Sequence, residues 1–81
     1  MQMKNDNKEM TAEQCRKDSF VRHELRELLQ AIDRDITDVS YSVEENGEEF
    51  ALITWQNGYK RRINVSGDSL RALVWDTLRR I

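Results

Sequence analysis

The chain of 81 residues contains no proline, three glycines, one cysteine and one histidine, and no long apolar run. Each shortage excludes something. A single thiol, Cys15, cannot close an internal disulfide, and with His23 as the only imidazole a zinc site of the usual Cys/His kind cannot be assembled. No stretch approaches the roughly 18 apolar residues that a membrane span needs. The opening residues are polar and lack the apolar core of a signal peptide, so the expected location is the cytoplasm. There is no glycine-rich phosphate loop and no nucleophile elbow. Asp33, Asp35 and Asp38 lack the glycine and the closing glutamate of a calcium loop. His23 projects among charges with no acidic partner identifiable from the sequence. The expectation is a protein without catalytic activity and without cofactors.

What is present is charge, 35% of residues against 38% apolar. The net charge of −2 hides a segregation: residues 1–35 are nearly balanced, 36–57 hold five acids and no base, and 58–81 hold six bases and two acids. A length of 81 residues allows one domain. Residues 1–10 read as a mobile tail ahead of a domain over 11–81.

Thr11-Ala12-Glu13-Gln14 has the spacing of a helix-capping box, with Met10 and Cys15 placed as a hydrophobic staple. Val21, Leu25, Leu28, Leu29 and Ile32 recur at helical intervals. The spacing predicts a helix ending near Asp33–Asp35, with a break near Asp18 left open. The period then changes to two: Val39, Tyr41 and Val43 alternate with polar residues, as in a half-buried strand.

Asn46-Gly47 and Asn57-Gly58 are strong signals for two-residue hairpin turns, and together they predict a three-stranded antiparallel meander. Two-residue turns set Tyr41 against Leu52 and Ile63, and Val43 against Phe50 and Val65, two apolar rows on one face. Ser66, Gly67 and Asp68 are cap candidates for a second helix, along which Leu70, Leu73, Val74, Leu78 and Ile81 form a stripe. The expected fold is a two-layer α+β sandwich of order αβββα, both helices on one face of the sheet. Helices on opposite faces would instead bury Ile53 and Trp55.

In that register the reverse face presents Ile53 and Trp55 beside Lys60 and Arg62. Tryptophan and arginine are over-represented at binding hot spots, and an exposed aromatic among cations also suits stacking on nucleic-acid bases. The blander alternative is a surface pair in which the basic stems cover the indole. Glu44, Glu45, Glu48 and Glu49 surround the first hairpin tip and form either a solvated turn or an acidic knob for a basic partner. Trp75, off the stripe of the second helix, would cover the core edge or meet a partner or a second copy.

Residues 57–78, NGYKRRINVSGDSLRALVWDTL, resemble the C-terminal part of small uncharacterised proteins from phages and integrative elements of Gram-positive bacteria, and the αβββα layout is similar to that of some anti-CRISPR proteins. The resemblance covers about a quarter of the chain and assigns no residue a role. It implies a small inhibitor or adaptor that binds a bacterial defence protein such as a CRISPR effector. The alternative is a nucleic-acid-binding accessory protein using Trp55, Lys60, Arg62 and Arg61.

Overall fold

A computed structural model describes residues 10–81, so the tail expected over 1–10 lies, but for Met10, outside the described residues. Helix α1 (Ala12–Phe20) passes through five residues of π-helix (Val21–Leu25) into α2 (Arg26–Ile32), then come β1 (Ile36–Val43), β2 (Glu49–Trp55), β3 (Lys60–Asn64) and helix α3 (Leu70–Leu78). The strands form an antiparallel meander in the order β1-β2-β3. Side chains from both helical segments and from one sheet face meet in a single core of Val21, Leu25, Leu29, Val39, Tyr41, Ala51, Ile53, Ile63, Val65 and Leu73, with Ile36. The architecture is the αβββα sandwich that the pattern implied.

The capping box forms as read. The Thr11 hydroxyl accepts from the Gln14 N–H and the Gln14 side chain accepts from the Thr11 N–H, both at 3.0 Å. No break occurs at Asp18; the irregularity lies just beyond it and widens the helix. Lys17, Val21, Leu25 and Leu29 are buried at intervals of four. In an α-helix such a line drifts by about 40° per step, or about 120° from Lys17 to Leu29. The wide turn, in which the Arg26 N–H reaches back to the Val21 carbonyl, takes back roughly one residue, about 100°. The four side chains therefore stay aligned over the sheet. Leu28 and Ile32, expected in the stripe, are 41% and 57% exposed, because the buried line runs straight rather than following helical drift.

The sheet differs from expectation by one residue, twice. Both tips are three-residue loops. The Gly47 N–H donates to the Glu44 carbonyl at 2.9 Å and the Glu44 N–H to the Glu48 carbonyl at 2.8 Å; Gly58, Trp55 and Tyr59 repeat the pattern. The glycines, at φ of 90° and 91°, end each loop in the left-handed region that glycine adopts at low cost. Asn46 and Asn57 each accept, through the side-chain oxygen, from the N–H two residues on.

The pairing is consequently Tyr41 with Ala51 and Ile63, and Val39 with Ile53 and Arg61. The expected rows keep their outer members, but the central strand is turned over. Phe50 and Leu52 leave the core face, and Ile53, placed on the solvent side by two-residue turns, is fully buried.

In α3 the N-cap is Ser69, whose hydroxyl accepts from the Ala72 N–H at 3.2 Å, rather than the three preceding candidates. Trp75 is 59% exposed and does not cover the core edge; Ile81 lies beyond the helix end, 40% exposed.

Asp68 sits beside this helix start with its Oδ2 buried. Burial, and then the neighbouring Asp76 as hydrogen-bond partner and like charge, pushes the Asp68 carboxyl up from 3.8 to about 6. Asp76 is held below 3.8, first by its hydrogen bond with Asp68 and then by Arg79. Between 3.8 and 6 the folded chain holds a proton on Asp68 that the unfolded chain has released, so this group stabilises the fold as pH falls from 7 toward 4. Asp68→Asn supplies a permanent donor in place of that proton. Thermal melts should show a Tm several degrees higher for the variant at pH 7.5, since ~1 kcal/mol moves a domain of this size by about 4–8 °C. The difference should close as the pH approaches 4.

Candidate functional site

The helices cover one sheet face, and among the described residues nothing covers the other. The corrected register builds that open face from the cross-strand rows Asp38–Thr54–Lys60, Ser40–Leu52–Arg62 and Ser42–Phe50–Asn64. Leu52 and Phe50 lie half-buried in its middle, flanked by small hydroxyl side chains on β1 and long cationic ones on β3. The Arg62 guanidinium carbon lies 3.7 Å from the centroid of the Phe50 ring, a close cation–π contact. Its Nη2 is 3.1 Å from Glu44 Oε2. Arg62 and Glu44 keep side-chain exposures of 55% and 47%, so the pair forms a polar lid over an apolar floor that water still reaches. Such an exposed ion pair is worth about 0–1 kcal/mol to stability; its effect here is to hold a long side chain flat.

Of the residues expected to bind a partner, Lys60 and Arg62 do share the open face. Trp55 does not. It projects on the helix side, where its indole N–H donates to Asp33 Oδ2 at 2.9 Å, and Ile53 is in the core. The acidic knob is also reduced. Glu44 is tied to Arg62, Glu45 and Glu48 remain exposed at the tip, and Glu49 is buried.

Glu49 instead anchors the first helix to the sheet. Lys17 Nζ donates to its Oε1 at 2.6 Å, the two side chains only 4% and 11% exposed. The Tyr41 hydroxyl donates to the same oxygen at 3.0 Å, and Gln14 Nε2 lies 3.5 Å from Oε2. Burial alone would raise the Glu49 carboxyl; the hydrogen bonds from Lys17, Tyr41 and Gln14, with the Lys17 charge, outweigh it and hold the group below its ordinary 4.5. Burial first, and then the bond to Glu49, pushes the Tyr41 phenol well above its ordinary 10.

No protein-family model, no curated protein and no solved structure matches this chain. No helix among the described residues is long and apolar enough to cross a membrane.

Phe50, Leu52 and the Lys17–Glu49 pair are the parts of the surface and core that sequence reasoning missed. Lys17 had a signal, being four residues ahead of Val21 on the line continued by Leu25 and Leu29. Phe50 and Leu52 had none apart from turn geometry, since β2 is apolar on both faces. His23 and Cys15 are both exposed, and the Cys15 thiol lies 3.9 Å from the Met10 carbonyl oxygen. No group of three or more His, Cys, Asp or Glu side chains is arranged to hold a metal among the described residues.

Proposed function

We propose that the chain is a small non-enzymatic interaction module that binds a protein through the open sheet face. The observation that carries this reading is the Phe50–Leu52 floor left bare by the helices and gripped by Arg62. An apolar centre, an arginine held flat across it and a polar margin of Ser40, Ser42, Thr54 and Asn64 match the anatomy of a protein-binding hot spot. The same arrangement speaks against nucleic acid, because Arg62 spends its charge on Glu44 and leaves Lys60 as the uncommitted cation of the face. The resemblance of residues 57–78 makes a cytoplasmic bacterial defence protein, such as a CRISPR effector, the first partner class to test.

The experiment is affinity capture from bacterial lysate with the native chain and with Arg62→Glu and Leu52→Ser variants, each checked for unchanged circular dichroism. A specific bacterial protein should be retained by the native chain and weakened about tenfold or more by either substitution, the loss typical of a hot-spot residue. Capture indifferent to both substitutions would remove the open face as the binding surface. Salt-steep binding to single-stranded DNA that is lost in Arg62→Glu would replace this reading with the nucleic-acid one.

A further inference from the structure

The geometry points to a second binding site, for an arginine side chain of a partner protein, at the end of the sheet away from the acidic hairpin and on the helix side. A cavity of about 320 Å³ opens there, lined by Asp35, Trp55, Gln56 and Asn57. The walls are held from behind. Asp33 commits one carboxylate oxygen to the Trp55 indole N–H at 2.9 Å and the other to the Asp35 N–H at 3.0 Å. The Asp35 carbonyl accepts from the Gln56 N–H at 2.7 Å. The indole is therefore fixed in orientation with its only donor consumed, which leaves its ring surface as what it can offer a ligand. Tyr59 stands next to it, ring centroids 5.4 Å apart and planes tilted by 48°.

The Asp35 carboxylate is exposed and makes no ion pair or side-chain hydrogen bond among the described residues. A ring face and an uncommitted carboxylate across a small cavity select a cation. Of the two cationic side chains, a guanidinium fits better. It is planar, stacks on an indole, and presents a fork of N–H donors that a carboxylate accepts in pairs, whereas an ammonium is a point charge that keeps its water. Neither nearby internal cation fills the site: Arg34, next to Asp35 in the chain, makes no ion pair among the described residues, and the Arg61 guanidinium lies over Tyr59 at 5.9 Å and donates to the Tyr59 hydroxyl at 3.1 Å. Gln56 and Asn57 are exposed at the hairpin tip, so the cavity opens outward to a side chain presented by another protein.

The test uses the full chain and three capped tripeptides, acetyl-Gly-Xaa-Gly-amide, with arginine, citrulline or lysine in the middle. The readout is the indole N–H resonance of Trp55 in nitrogen–proton spectra, with that of Trp75 as internal reference. The arginine peptide should move the Trp55 signal saturably and leave Trp75 in place. Asp35→Asn, a substitution at an exposed side chain that keeps the fold, should weaken that titration about tenfold. The citrulline peptide, nearly the same shape without the charge, should produce no saturable shift. An unmoved Trp55 signal, an equal response to citrulline, an equal response to lysine or an unchanged titration in Asp35→Asn would each overturn the assignment. None of these outcomes involves the open sheet face, so the two sites fail or stand separately.

Discussion

Ile53→Ala should lower the unfolding free energy by about 2–5 kcal/mol, the range for removing a buried branched side chain, while Leu52→Ala, one position away, should cost about 1 kcal/mol. Ile53 is fully buried between the sheet and the helices, whereas Leu52 faces the open side and is covered only in part. The contrast is diagnostic because the two residues are chemically alike and adjacent; a register shifted by one would exchange their costs. Urea unfolding followed by circular dichroism measures both. At about 0.05–0.15 kcal/mol per residue a domain of this size has a total stability of about 4–12 kcal/mol. Ile53→Ala should therefore remove a large share of that stability and lower the urea midpoint several times more than Leu52→Ala does. A larger loss for Leu52→Ala than for Ile53→Ala would refute the pairing described above.

The second large effect concerns the buried ion pair. Lys17→Ala should destabilise the fold by about 3–5 kcal/mol, since it strands the Glu49 carboxylate in the core without its cation. Most of that is a penalty for the charge left behind rather than the worth of the pair. Neutralising both partners should accordingly recover much of it: in Lys17→Met/Glu49→Gln the glutamine oxygen still accepts from the Tyr41 hydroxyl, and the methionine fills the space of the lysine stem. Equilibrium denaturation of the single and double variants gives the comparison, and a double variant no more stable than Lys17→Ala would contradict it. The pair also makes the native chain acid-sensitive. The Glu49 value is lower folded than unfolded, so its contribution is fully present above the ordinary 4.5 and is lost as pH falls through the folded value. This opposes the gain from Asp68 at higher pH, so stability should peak in mildly acidic solution and then collapse.

These predictions bear on how much of the molecule was legible from its residues. The capping box at Thr11, the alternation of Val39, Tyr41 and Val43, and the two Asn-Gly dipeptides were enough for the element order and the two-layer arrangement. The same dipeptides misled on the face of β2, because Asn-Gly serves two loop lengths that differ by one residue. The error was made identically at both tips, so it cancelled between β1 and β3: Tyr41 and Ile63 do lie in one row. Only the central strand was inverted. Agreement between two turns was thus no independent check on either. Trp55 and Ile53 left the proposed surface for that reason, while Lys60 and Arg62 kept their place on it. The burial of Lys17 and Glu49 was hidden differently, since charged residues 32 apart in sequence signal nothing until the fold brings them together.

The two glycine-ended loops carry an evolutionary consequence. Surface loops ordinarily absorb insertions and deletions without much effect. Here the loss of a single codon from Glu45-Asn46-Gly47 leaves Glu44 opposite Glu48 when the tip closes on the two residues that remain, so β2 keeps Ile53 against the helices and Phe50 and Leu52 on the open side. A codon lost inside β2 does turn over the residues beyond it, and with them β3, whose Lys60, Arg62 and Asn64 would then face the helices in place of Ile63 and Val65. Length polymorphism should consequently be confined to these tips and be purged from the strands between them.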